Sequence, residues 1–240
     1  MHARFLTLPF TVAAIALSFG TARAITVQIC DGTSGTNCSP SLAPLGTVVT
    51  NADGSKTWTL TNPFNGSGYT VNNWVSTTAT DPFVTNNVGI TNNQGTPQTF
   101  IATVTLPIPA FSFSQIVASS VGVTATDSDG SGSVTVQSVT PNGIYTGTIN
   151  GVGALTLLPD VTTVSCSTAG CSTTTSANFP SGPAGPGVAT TIGITLEFTL
   201  SPFDSAGLTS RFEIEPEPTT GLLLASGFVG LAVIGRKRRA

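Results

Sequence analysis

An all-β fold, an antiparallel β-sandwich of jelly-roll or immunoglobulin-like type, is what this 240-residue sequence predicts. Three observations predict it. Between residues 25 and 212, short runs rich in β-branched and aromatic residues alternate apolar with polar positions. Gly, Pro and Asn turns separate the runs. No apolar spacing of helical period occurs in that stretch. About 190 residues suffice for one domain with a sizeable core.

Two strands are the clearest. Phe100, Ala102, Val104 and Leu106 face one way and Ile101, Thr103 and Thr105 the other, until Pro107 and Pro109 end the ladder they cannot donate to. Ile192, Ile194, Leu196, Phe198 and Leu200 alternate in the same way with Thr191, Thr195, Glu197 and Thr199. Around them, residues 26–29 predict an opening strand, and 47–50 with 56–61 predict a hairpin turning through Asn51-Ala52-Asp53-Gly54-Ser55. Residues 69–76 and 83–91 predict two more strands, the second turning at Asn92-Asn93-Gln94-Gly95. Residues 117–126, 133–139 and 144–149 follow, and 155–158 form a short apolar run stopped by Pro159. Residues 165–187 are Ser, Thr, Gly and Pro around two cysteines, which predicts a long surface loop. Residues 211–215 predict a short edge strand.

Both ends differ from this middle. Residues 1–24 carry a modest cationic start (His2, Arg4), an apolar run over 5–19, and Ala22-Arg23-Ala24, which sets small residues where a signal peptidase reads them. A signal peptide cleaved before Ile25 is expected. At the other end, Pro216-Glu217-Pro218 precedes an uncharged segment over 219–235 and the basic stub Arg236, Lys237, Arg238 and Arg239. As a helix, 219–235 would be ~25 Å long, close to a bilayer's hydrocarbon thickness. The cations mark its cytoplasmic side, so the rest of the chain is expected outside the cytoplasm, held by a single transmembrane helix. The organisation is therefore a signal peptide (1–24), a sandwich domain (25–212) and a C-terminal segment (213–240).

That segment resembles the PEP-CTERM sorting signal of Gram-negative bacteria: a Pro-Glu-Pro motif at Pro216, Glu217 and Pro218, a short hydrophobic helix, and a basic end at Arg236–Arg239. The resemblance implies an exosortase-type membrane protease as partner beside signal peptidase, and transient anchoring in the inner membrane facing the periplasm. It also implies passage to the cell surface or extracellular matrix, with association to exopolysaccharide or biofilm. Residues 81–106, and Ser201-Pro202-Phe203-Asp204 with the strand after it, resemble the sandwiches of other PEP-CTERM proteins.

Between Ile25 and Gly235, only Lys56 and Arg211 stand against all eleven acids, a formal charge of −9. An acidic, hydroxyl- and amide-rich surface excludes nucleic acid and anionic lipid as partners. Cys30, Cys38, Cys166 and Cys171 are an even set in an exported chain, and two local disulfides are the simplest of their three pairings. His2 is the sole histidine and leaves with the signal peptide. No His-dependent nucleophile or His-ligated metal can operate in what remains.

No catalytic residues or cofactor are expected. Most of the acids adjoin Gly, Pro or Ser in turns and Glu197 sits on the polar face of its strand, so a paired-carboxylate glycosidase is disfavoured. Asp127-Ser128-Asp129-Gly130 resembles the start of a calcium loop, with Asp127 and Asp129 as weak ligand candidates. Position twelve of that loop is Ser138 where a bidentate Glu is needed, so an Asp/Gly hairpin turn is preferred. Tyr69 and Trp74, near Asn and Gly, are candidate sugar-stacking residues for the alternative role of carbohydrate-binding module. Trp58, alternating with Leu60, belongs in the core.

Overall fold

A computed structural model describes residues 25–32, 37–79, 82–110, 114–139, 141–179, 184–185, 187–188 and 190–216. The signal-peptide segment, Glu217, Pro218, the apolar segment 219–235 and the basic end lie outside the described residues. Among the described residues no helix is long and apolar enough to cross a membrane.

The strands are β1 (Thr26–Asp31), β2 (Asn37–Cys38), β3 (Gly46–Thr50), β4 (Lys56–Leu60), β5 (Phe64–Asn65), β6 (Tyr69–Ala79), β7 (Phe83–Asn92), β8 (Gln98–Pro107) and β9 (Ser114–Thr126). There follow β10 (Val134–Ser138), β11 (Tyr145–Ile149), β12 (Val152–Leu157), β13 (Thr163–Cys166), β14 (Ser172–Phe179), β15 (Ala184–Gly185), β16 (Thr191–Leu200) and β17 (Ser205–Pro216). They make two antiparallel sheets. The first runs β12-β11-β16-β8-β1-β2, with β10 beside the end of β16 and β13 beside β10. The second runs β14-β9-β17-β7-β6-β4-β3, with β15 beside β9 and β5 beside β6.

The sheets face each other over one apolar core, as period-two patterning dictates. Phe100, Ala102, Val104 and Leu106 of β8 and Ile192, Ile194, Leu196, Phe198 and Leu200 of β16 all point into it. The Tyr69 ring of the second sheet meets Phe100 of the first edge-on at 5.5 Å. Tyr145 crosses the gap as well, its hydroxyl 2.6 Å from Ser119 Oγ and donating to the Arg211 carbonyl at 2.8 Å. The sheets come so close at Gly147 that a Cβ there would lie 2.6 Å from the Phe212 ring, so only glycine fits.

Three sequence expectations change. Residues 211–215 are not an edge: β17 starts at Ser205 and lies between β7 and β9, inside the second sheet. Its first half, Ser-Ala-Gly-Leu-Thr-Ser, is too small and polar to read as a central strand, yet Ala206, Leu208, Phe212 and Ile214 are buried. The sandwich also continues past 212, because Pro216 pairs with Ser114. Residues 165–187 are not all loop, for Ser172–Phe179 pair along β9 as an edge strand. Such a strand needs no fully buried face, and its exposure alternates only between open and half-covered.

Both local disulfides form, Cys30–Cys38 between directly paired residues and Cys166–Cys171 across the β13–β14 connection.

Strand direction gives the sandwich two unlike poles. Thr26 opens β1 opposite Thr105, near the end of β8, and Pro216 closes β17 opposite Ser114, the start of β9. Both ends of the folded unit therefore leave from one pole. The opposite pole carries the 93–97, 127–133, 167–171 and 201–204 connections and both disulfides.

Candidate functional site

The aromatic pair comes first. Tyr69 is 3% exposed and Trp74 fully buried, so neither offers a face to a sugar. The reason is a β-bulge in β6. Pairing with β7 shifts register between Val71 and Asn73, so Tyr69 and Val71 point inward and, after the shift, Trp74 does too. Trp74 packs edge-on against Trp58 at 6.4 Å and donates its indole N–H to Asn86 Oδ1. Burial, with the Asp31 charge adding to it, pushes the Tyr69 phenol up to about 12. Trp58 and Tyr145 are buried as well, so every Trp and Tyr of the chain is in the core.

The weak calcium candidates lie at the far pole. There the structure brings Asp204 to Asp127 and Asp129, with carboxylate oxygens of all three within 4.8 Å of one another. Asp127 is already committed to backbone donors. Its Oδ1 accepts from Gly130 N–H (3.0 Å), and its Oδ2 from Gly132 (3.1 Å) and Gly170 (2.8 Å). Burial pushes its carboxyl up, but the Gly170, Gly132 and Gly130 donors together with Asp129 outweigh this and hold it below the usual carboxylate value. Asp204 goes the other way: burial raises it, the Ser201 and Ser128 donors offset only part, and the charges of Asp129 and Asp127 raise it further. Asp204 accepts from Ser201 Oγ at 2.5 Å and Ser128 N–H at 3.2 Å. The cluster thus ties the β9–β10, β13–β14 and β16–β17 connections together by hydrogen bonds, the role of an Asp/Gly turn. Asn92 adds a fourth, donating to the carbonyls of Thr96, Leu200 and Ser201 and accepting from Gln94 N–H.

Three of the other acids are engaged by neighbouring side chains or backbone. Asp53 accepts from Ser55 N–H and Oγ inside its own turn, Glu197 from Asn142, and Glu213 pairs with Arg211 at 2.5 Å.

A third feature has no signal in the sequence. On the outer face of the second sheet, across β14, β9, β17 and β7, runs an open trough of about 580 Å³. Register builds it. Thr174, Thr124, Gly207 and Gly89 stand in one cross-strand row, and Ser176, Gly122, Thr209 and Asn87 in the next. Gly207 lowers the floor to bare backbone, while the Thr209 hydroxyl stands over Gly122. Thr174 rises on one side and Asn87 on the other, where Asn73 reaches over Gly89. The glycines are 85 residues apart in sequence, so no local pattern could have revealed their adjacency.

The sequence matches no known protein-family profile and no curated protein. Among solved structures, that of TmCBM61 in complex with β-1,4-galactotriose is similar over 72% of this chain and 88% of its own, at 12% identity and a TM-score of 0.25. A likeness that slight carries no argument about this chain.

Proposed function

We propose that this chain is a non-enzymatic, exported protein of the cell surface or extracellular matrix, sorted by an exosortase-type protease through its C-terminal segment and associated with exopolysaccharide. One observation carries the reading. The first strand begins at Thr26, one residue after the expected signal-peptidase cut, and the last ends at Pro216, the first residue of the Pro-Glu-Pro motif. The described strands thus lie between the two processing points expected from the sequence. Both ends leave from one pole, so an anchored chain would present the opposite, disulfide-braced pole away from the membrane. Two disulfides further support an oxidising location, periplasmic or extracellular.

The test is fractionation of cells expressing the full chain, a Pro216→Ala/Glu217→Ala/Pro218→Ala variant, and one with Arg236–Arg239 replaced by Ser. The intact chain should reach the surface or medium while the motif variant stays in the inner membrane. Equal release of the intact chain and the motif variant would refute exosortase sorting.

A further inference from the structure

The geometry points to the outer-face trough of the second sheet as a binding site for a neutral polysaccharide chain. It deepens the matrix reading by giving it a contact surface, and it replaces the buried Tyr69 and Trp74 as the place where sugar would sit.

Shape comes first. The trough is open, crosses four strands, and its volume of about 580 Å³ falls within the ~300–1,000 Å³ typical of small-molecule sites. An open channel admits the middle of a chain, where a closed pocket would admit only an end. The floor is available space at Gly207, where an added Cβ would have only Thr124 Cβ nearby, at 3.9 Å. At Gly122 the Thr209 hydroxyl stands over the backbone, 2.9 Å from an added Cβ, so the open part of the floor is at Gly207.

Chemistry then selects the ligand. Thr124, Thr174, Ser176 and Thr209 supply hydroxyls that both donate and accept, and Asn87 supplies an amide that does the same. Sugar hydroxyls need that two-way bonding. Among the described residues, none that lines the trough is charged. The nearest charges along β17, Arg211 and Glu213, are paired with each other. Nothing there would recognise a phosphate or carboxylate, and the acidic surface beyond repels polyanions. With no aromatic ring among the described lining residues, affinity must come from many hydrogen bonds repeated along a chain, so a polymer should bind where a monosaccharide does not.

The experiment is native affinity electrophoresis of the exported protein as isolated from cells, in gels containing dextran, galactan, hydroxyethyl cellulose or alginate, with mobility taken relative to a polysaccharide-free gel. At least one neutral polymer should retard the protein and alginate should not. Gly207→Leu, which fills the floor, should reduce the retardation at least tenfold while Val49→Leu, on the same face at the opposite edge, leaves it unchanged. If Gly207→Leu does not fold, Thr174→Arg on the exposed edge strand serves the same purpose. The site is refuted if no neutral polymer retards the protein, if alginate alone does, or if a folded trough variant is retarded like the parent. A chain that is processed and exported normally yet never retarded removes the trough and leaves the sorting account standing.

Discussion

Tyr145→Phe removes one oxygen from the middle of the sandwich, and the structure sets what that should cost. The ring is fully buried on β11, and its hydroxyl reaches Ser119 Oγ and the Arg211 carbonyl on two strands of the opposite sheet. A buried hydrogen bond contributes about 0.5–1.5 kcal/mol net, and a buried partner left unpaired costs about 1–3 kcal/mol. Here the damage is partly absorbed, because Ser119 Oγ already lies 3.3 Å from the Arg211 carbonyl and can donate to it alone. The expected loss is therefore ~1–1.5 kcal/mol, or a fall in Tm of roughly 2–6 °C for a domain of this size. Equilibrium urea denaturation of Tyr145→Phe, Ser119→Ala and the double variant measures it. The two changes should be non-additive by more than ~0.5 kcal/mol, since they remove one shared interaction. An unchanged midpoint, or strict additivity, would show that the hydroxyl does not bridge the sheets.

Other predictions follow from the same contacts. Asn92→Ala should lower stability by about 1–3 kcal/mol in the same denaturation assay, because its amide serves three carbonyls at the far pole; a loss near zero would mean water replaces it. The two buried aspartates should respond oppositely to pH. The depressed Asp127 stabilises the fold above the ordinary carboxylate value of 3.8 and loses that contribution as pH falls through its own lower value, so Asp127→Asn should lower Tm at pH 7 and cost progressively less as the pH is taken below 3.8. The raised Asp204 favours the fold while protonated and loses that as pH rises through its folded value, so Asp204→Asn should be neutral or stabilising at pH 7 and lose the advantage in acid. Like-signed Tm shifts at pH 7 would refute the assignment. Both tyrosines are buried with raised phenol values, so stability should fall as pH climbs above 10, and 295 nm absorbance should show them ionising only with unfolding. Titration near 10 in the folded state would contradict their burial.

How much of this was legible in the sequence depends on which faces of a strand are buried. β8 and β16 could be read residue by residue, because one face is apolar and the other mostly Thr. β14 could not, since an edge strand partly open on both faces leaves no contrast, and Ser-Thr-Thr-Thr-Ser reads as loop. β17 was half-legible: Phe212 and Ile214 signal a strand, while Gly207 and the hydroxyl residues around it conceal that it is central. The burial of Trp74 depends on a single bulge, a one-residue register change that period-two reading cannot anticipate. Asp127 and Asp129 were visible as a turn, but Asp204 joins them from 75 or more positions away, through the pairing of β17 with β9. The trough depends on the same pairing.

The central claim is that the sandwich is the whole mature product, released from segments read at both ends. The intact mass of the protein recovered from the cell surface or medium, from cells with and without the sorting protease, tests it most directly. The account predicts an N-terminus at Ile25 and a C-terminus at or just beyond Pro216, whose backbone is still paired within the sheet, and it predicts this C-terminus only where the protease is present. A species that retains residues 219–240 in the inner membrane whether or not the protease is present would contradict it, and would make the C-terminal segment a permanent anchor.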